Sequence, residues 1–256
     1  MVAAEPSSHV LFSLSSKAYI AATVAPVIFA LLASFIVGFA ADYELLLNYQ
    51  WTCGKALLPS ISRIINLPKE RTFCNLVVGL YVGLRPLITA HYYLLCRRPA
   101  HQIKYPRVFK LLVSLIPLSS FSELAFLIAL TLVGERENPN LHVVFFVGFC
   151  SSSNLYFILV TVLYRLSRFY TVHDKAQTSF KLKATLVTLN FLLMPAISVF
   201  FVLYWQLCVR FAYNVFALLE YTTIFTMLMF HCTAYLDFNF SYKIVVLKLF
   251  CTFFEV

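Results

Sequence analysis

The chain has 256 residues, of which 61% are hydrophobic, 17% aromatic and only 12% charged, and its mean hydropathy is +0.82. Soluble domains carry about a quarter charged residues, so this composition excludes an ordinary water-soluble fold and indicates a membrane protein. The net charge of +9 comes from short basic blocks between apolar runs rather than from one basic face, which speaks against nucleic acid as a partner.

A helix needs about 20 predominantly apolar residues to cross a bilayer. Runs of that kind fall at about 18–40, 73–95, 111–133, 142–164, 184–205 and 214–236. They predict an all-α fold, a polytopic six-helix transmembrane bundle forming a single membrane domain over residues 1–256. Small residues, "GFAA", follow the first run at cleavage-like spacing, but the run is too long for the apolar region of a signal peptide and reads as a retained helix.

The connections 96–110 and 165–183 and the two tails carry thirteen Lys and Arg residues, against six in the other three loops. By the positive-inside rule both termini face the cytosol, and the long loop 41–72 faces the lumen or exterior with the connections 134–141 and 206–213. A sequon at Asn239 is then cytosolic and expected to stay unglycosylated. The final "IVVLKLFCTFFEV" is too short for a seventh span and reads as an interfacial segment.

Seven cysteines occur without CxxC or Cys/His spacing, so no metal site is signalled. Cys53, Cys74 and Cys208 fall on or near the luminal side, where they could pair or remain free thiols. The sequence holds no Gly-rich phosphate loop and no GxSxG or HExxH motif, and no cofactor is expected.

Polar residues at membrane depth carry more information. Arg85, Glu123 and Asn154 each lie 12 residues into a span, about 18 Å along their helices and near the midplane. Charges at that depth are costly and face the bundle interior, and an Arg85 to Glu123 ion pair across the hairpin of spans two and three satisfies both. Ser119 and Ser120 extend the stripe on the helical face of Glu123, and Pro86 and Pro117 are expected to free backbone carbonyls for the guanidinium. In the last span Glu220 and His231 share a helix face but lie about 16 Å apart, too far to touch. Glu220 belongs to the luminal third and His231 to the cytosolic third. Asp237 follows His231 at a spacing one residue away from an HxxxxD acyltransferase pattern, a weak analogy.

The last span with its flank, "YNVFALLEYTTIFTMLMFHCTAYLDF", has an aromatic-x-x-Phe-Ala-x-x-Glu-Tyr start and a Phe-His-x-Thr-Ala-aromatic-x-Asp-Phe end. With the luminal "CGKALLPSISRII" and the placement of Arg85 and Glu123, it resembles the post-GPI attachment to proteins factor 2 family over about residues 18–238. Three features depart from that pattern: Ile64 and Ile65 stand where Ile-Gly is expected, Asn154 stands where related members carry a histidine, and the tail is apolar.

The resemblance implies a multi-pass Golgi membrane protein, also compatible with the endoplasmic reticulum. Such a protein is required for reacylation of lyso-GPI-anchored proteins and for their stable surface expression. It implies GPI-anchored proteins with their lyso-lipid, and membrane lipids, as partners. It leaves open whether the chain transfers the acyl group itself or assists an acyltransferase. Pro59, Ser60, Ser62, Arg85, Glu123 and Glu220 are then candidates for holding a lipid head group, with Glu220 and His231 the candidates for catalysis. Two other readings of the polar residues stay open, an ion or proton-coupled transporter or channel, and a non-catalytic scaffold.

Overall fold

The computed structural model describes residues 8–47, 53 and 57–247. In chain order the elements are β1 (Ser8–Ser15), α1 (Ser16–Ala41), α2 (Tyr43–Leu47), α3 (Ile61–Ile64), α4 (Pro68–Cys96) and α5 (Pro106–Leu132). They continue with α6 (Pro139–Leu166), α7 (Arg168–Val172), α8 (Ala176–Trp205), α9 (Arg210–Cys232), α10 (Ala234–Asp237) and β2 (Ser241–Leu247).

Six helices, α1, α4, α5, α6, α8 and α9 with its continuation α10, are long and apolar enough to cross a membrane. They coincide with the six apolar runs. The largest difference is at α8, which starts at Ala176 rather than near 184, because the polar turns before the apolar run are themselves helical.

Helix starts follow local chemistry. The Ser15 side chain accepts from the Ala18 N–H, and the Asn138 side chain accepts from the Leu141 N–H. Pro68, Pro106 and Pro139 open α4, α5 and α6, where a missing N–H costs no helical bond.

The helices form a ring in which α4 lies between α1 and α5, α6 packs on α5, α8 on α6 and α9 on α8, with α1 and α9 meeting to close it. The outward face is hydrocarbon. Phe29, Leu76, Leu118 and Phe191 are 61% to 71% exposed, a surface that suits lipid and not water. Inside, α6 supplies the centre, with Tyr156, Phe157, Val160 and Tyr164 fully enclosed. A close approach joins α6 to α5: the Phe126 ring lies over Gly148, where an added Cβ would meet ring carbons at 2.6 Å.

Two short strands join the helices. Ser241–Leu247, at the start of the tail, forms β2 and pairs antiparallel with β1, in register from Ser8 opposite Leu247 to Ser15 opposite Ser241. The register shifts between Val10 and Phe12, the mark of a one-residue bulge. The Ser16 N–H donates to the Phe240 carbonyl at 2.8 Å and continues the pairing into the start of α1. The "IVVL" stretch has the β-branched character strands favour, but its partner comes from the opposite end of the chain, which a local reading does not see. Residues beyond Leu247 lie outside the described ones.

Both termini therefore emerge on one face of the ring, here called the termini face. The described residues between α1 and α4 lie on the opposite, loop face. On the termini face, the Ala100 N–H donates to the Leu166 carbonyl and the Arg168 N–H to the Arg98 carbonyl, tying the α4–α5 and α6–α7 connections together.

Candidate functional site

On the loop face, residues 57–62 are fastened along α9. The Asn214 side-chain carbonyl accepts from the Leu57 and Leu58 N–H groups at 2.9 and 3.0 Å. The Tyr213 hydroxyl meets the Ser60 N–H at 3.3 Å, and the Tyr221 hydroxyl donates to the Pro59 carbonyl. Glu220 takes the Ile61 N–H at 2.8 Å and the Ser62 hydroxyl at 3.0 Å. Residues 213, 214, 220 and 221 recur on one helix face, so a single stripe of α9 holds the whole segment.

Ser60 caps α3 through the Arg63 N–H. Arg63 pairs with Glu135 at 3.2 Å and lies over the Tyr213 ring. A disulfide between Cys53 and Cys208 anchors the same segment to the α8–α9 turn. Cys74, the third candidate, is a buried thiol in α4 within 3.2 Å of the Ser34 hydroxyl.

At mid-depth the expected Arg85 to Glu123 pair is present at 3.6 Å, with both side chains enclosed. His231 completes it. The Arg85 Nη2 donates to His231 Nδ1 at 2.6 Å, and His231 Nε2 lies 3.0 Å from Glu123 Oε1. An arginine can only donate, so Nδ1 accepts and the imidazole proton sits on Nε2, facing the carboxylate.

The remaining guanidinium donors go to the Tyr81 hydroxyl at 3.0 Å, Thr89 at 3.2 Å and Tyr156 at 3.5 Å, and Thr89 passes the chain on to Ser120 at 2.7 Å. Side-chain hydroxyls thus take the place foreseen for carbonyls freed by Pro86 and Pro117. The reason is geometric: Tyr81 and Thr89 flank Arg85 one turn away on its own helix face. Ser119 bonds back to the Leu115 and Ile116 carbonyls, and Asn154 to the Cys150 carbonyl.

Nearer the termini face, Asp237 forms a second buried ion pair. Its carboxylate accepts from Lys183 Nζ and the Tyr92 hydroxyl, both at 2.6 Å, and from the Tyr164 hydroxyl at 2.8 Å. Lys183 also donates to Ser179 at 2.6 Å. The sequence placed Lys183 among the basic connection residues, and its helical turn carries it inside instead.

Two apolar clefts run into the bundle from the region beneath the fastened segment. The first extends past Val77, Ile224, Met227 and Leu228 to Tyr81, Glu123 and His231 at its inner end. The second lies at the seam of α6 and α8 between Val147, Met194, Phe201 and Phe216. Both are lined by Ser62, His142, Phe146 and Glu220, so they adjoin at these side chains.

Of the sequence candidates, Glu220 and Ser62 stand at this junction, with Pro59 and Ser60 beside it. Glu123 and His231 form the inner end of the first cleft, behind which Arg85 is wholly enclosed. Glu220 and His231 do not touch, in keeping with their spacing, but they line one cleft. His142 was not a candidate, because a histidine one turn inside a helix has no spacing signal that separates it from a packing residue. Its Nδ1 faces the Val133 carbonyl at 2.7 Å, while its Nε2 is buried without a hydrogen-bond partner among the described residues.

A ring of six helices long and apolar enough to cross a membrane, enclosing apolar clefts with polar groups at their ends, defines a multi-pass membrane protein. Residues 16–240 match the family model described as Frag1/DRAM/Sfk1/Cwh43P N-terminal domain. The chain is 32% identical over 251 residues to a Xenopus tropicalis protein named "Acyltransferase PGAP2", covering 93% of each. It is 30% identical over 190 residues to proteins of Caenorhabditis briggsae and Caenorhabditis elegans named "Post-GPI attachment to proteins factor 2", covering 71% of this chain and 70% of each relative. The chain belongs to the Frag1/DRAM/Sfk1/Cwh43P family and, within it, to the post-GPI attachment to proteins factor 2 group. No solved structure gives a significant match.

Proposed function

We propose that the chain remodels the lipid of GPI-anchored proteins in the Golgi membrane, restoring the second acyl chain of a lyso-anchor by transferring the acyl group itself. The observation that carries this reading is the meeting of two apolar clefts at the Glu220, Ser62 and His142 junction. A lyso-lipid retains one hydrocarbon chain and receives another, and the two clefts offer each chain a wall of its own. The first spans from Glu220 to His231, about 16 Å along α9, close to the roughly 15 Å of one leaflet of the hydrocarbon core.

In this reading the polar groups divide the work. Glu220, Ser62 and the adjoining Pro59 and Ser60 form the rim where a glycerol backbone and its head group lie. Glu123 and His231, held by Arg85, close the inner end of the first cleft and limit the chain it takes. His231 has both ring nitrogens engaged, which favours this role over proton transfer to a substrate.

With both termini cytosolic, as the distribution of Lys and Arg favours, the junction opens toward the lumen, where the protein part of a GPI anchor resides. The name of the Xenopus relative supports transfer by the chain itself over assistance to another enzyme. Ion transport is less well supported, since Ile224, Met227 and Leu228 make the path between Glu220 and His231 hydrocarbon rather than polar.

Cells lacking the chain test the proposal. Mass spectrometry of their anchor lipids is expected to show loss of the restored saturated chain, and an unaltered lipid profile would overturn the reading.

A further inference from the structure

Among the residues at the cleft junction, His142 has an unusual combination of properties. It is only 6% exposed, yet its Nε2 has no hydrogen-bond partner among the described residues and it lines both clefts. Buried polar atoms are nearly always paired, so an orphaned ring nitrogen at a cavity wall marks a place where a ligand group is received. Its other nitrogen is fixed: Nδ1 lies 2.7 Å from the Val133 carbonyl, which can only accept. The neutral ring therefore carries its proton on Nδ1 and presents a lone pair at Nε2. The carbonyl is held by the turn that ends α5, and the ring rides on the first turn of α6, so neither partner depends on substrate to be positioned.

Resting on the acyl-transfer reading above, we infer that His142 is the general base of the reaction, acting on the acceptor hydroxyl where the two clefts meet. The hydroxyl oxygen of the lyso-lipid attacks the carbonyl carbon of an acyl ester or thioester donor, and its proton passes to His142 Nε2. The new ester C–O bond forms as the donor's C–O or C–S bond breaks. The imidazolium returns its proton to the departing alkoxide or thiolate, leaving the acylated lipid and a lysolipid or free thiol. No oxidant or cofactor enters the balance. The acceptor's chain and the donor's chain occupy different clefts, because the reacting atoms lie at their shared point.

His231, the histidine singled out by its place in the last span, contrasts with this in both nitrogens, which are taken by Arg85 and Glu123. The titratable groups lining the two clefts with His142 are Glu220 and Tyr213 on α9, Glu135 in the α5–α6 turn and, on the first cleft, Cys74, Tyr81, Glu123 and His231. None of them makes a hydrogen bond with His142 among the described residues.

The test uses the purified full chain in lipid nanodiscs, with lyso-phosphatidylinositol as acceptor and isotopically labelled donors. One arm supplies labelled phosphatidylcholine and the other labelled stearoyl-CoA. Wild-type protein is expected to label the acceptor in at least one arm, and the arm that works identifies the donor as an ester or a thioester.

His142→Gln is expected to lower kcat by about 100-fold or more with the acceptor KM little changed. Transfer by the variant at wild-type rate would overturn the role of His142 and leave the acyl-transfer reading standing. Absence of labelling by the wild-type protein in both arms would overturn both.

Two variants keep His142 and test the geometry independently. Val77→Trp narrows the first cleft and Val147→Trp the second, so each is expected to shorten the chain tolerated on one substrate only, acceptor in one case and donor in the other. Shortening of the same substrate's chain in both variants would overturn the two-cleft arrangement.

Discussion

The Glu220 carboxylate of α9 holds the Ser62 hydroxyl at 3.0 Å across 158 positions of sequence. It takes the Ile61 N–H with its other oxygen. The two stretches that carry the family resemblance, "LPSIS" on the loop face and "ALLEY" in the last span, are therefore partners in one contact rather than separate signatures.

Replacing Glu220 by Ala leaves the buried Ile61 N–H without its acceptor and the half-buried Ser62 hydroxyl to find another, a loss of about 1–3 kcal/mol. Glu220→Gln keeps one acceptor oxygen and is expected to lose less. Limited proteolysis of the loop face, read beside the thermal midpoint, checks this: the Ala variant should be cut faster around residues 57–62. Equal resistance in both variants would show that the segment is held without Glu220.

Arg85 and Glu123 form a pair whose separate removal is costly. Arg85→Ala strands the buried Glu123 carboxylate without its guanidinium and is expected to destabilise by about 3–5 kcal/mol, seen as a large drop in folded protein during detergent extraction. The double replacement Arg85→Met with Glu123→Leu removes both charges and is expected to recover much of that loss. If the double variant is as poorly folded as the single one, the pair is not what the stability depends on.

The Asp237 cluster gives an asymmetric expectation. Asp237 keeps two phenolic donors when Lys183 becomes Met, whereas Asp237→Ala leaves the Lys183 ammonium buried with only Ser179 as acceptor among the described contacts. Asp237→Ala should therefore lower the thermal midpoint more than Lys183→Met. The reverse order would mean that the phenols, not the ammonium, are the groups that need the carboxylate.

The sequence disclosed the six spans because length and hydropathy are local properties, and it placed Arg85 and Glu123 together because both sit mid-span in adjoining helices. It separated Glu220 from His231 correctly by helical rise. His231's attachment to that pair was out of reach, since the contact depends on how α9 is rotated against α4 and α5. The buried Lys183 was hidden by the same cause: a lysine near a helix end reads as a connection residue until the neighbouring helices enclose it. His142 shows the limit most clearly, because what sets it apart is one nitrogen with a partner and one without.

The Cys53–Cys208 bond makes a prediction about connectivity. A protease site placed in the 97–105 connection cuts the chain between the two cysteines. On a denaturing gel the fragments should migrate together without reductant and apart with it. Separation under both conditions would show that the two thiols are not joined.

Finally, the seating of Phe126 on Gly148 sets how closely α5 and α6 can approach. An aromatic ring lies against bare backbone there, so any side chain added at position 148 would collide with it and push the two helices apart. Because α6 also forms a wall of the second cleft, the width of that cleft is set in part by a glycine on the far side of the same helix.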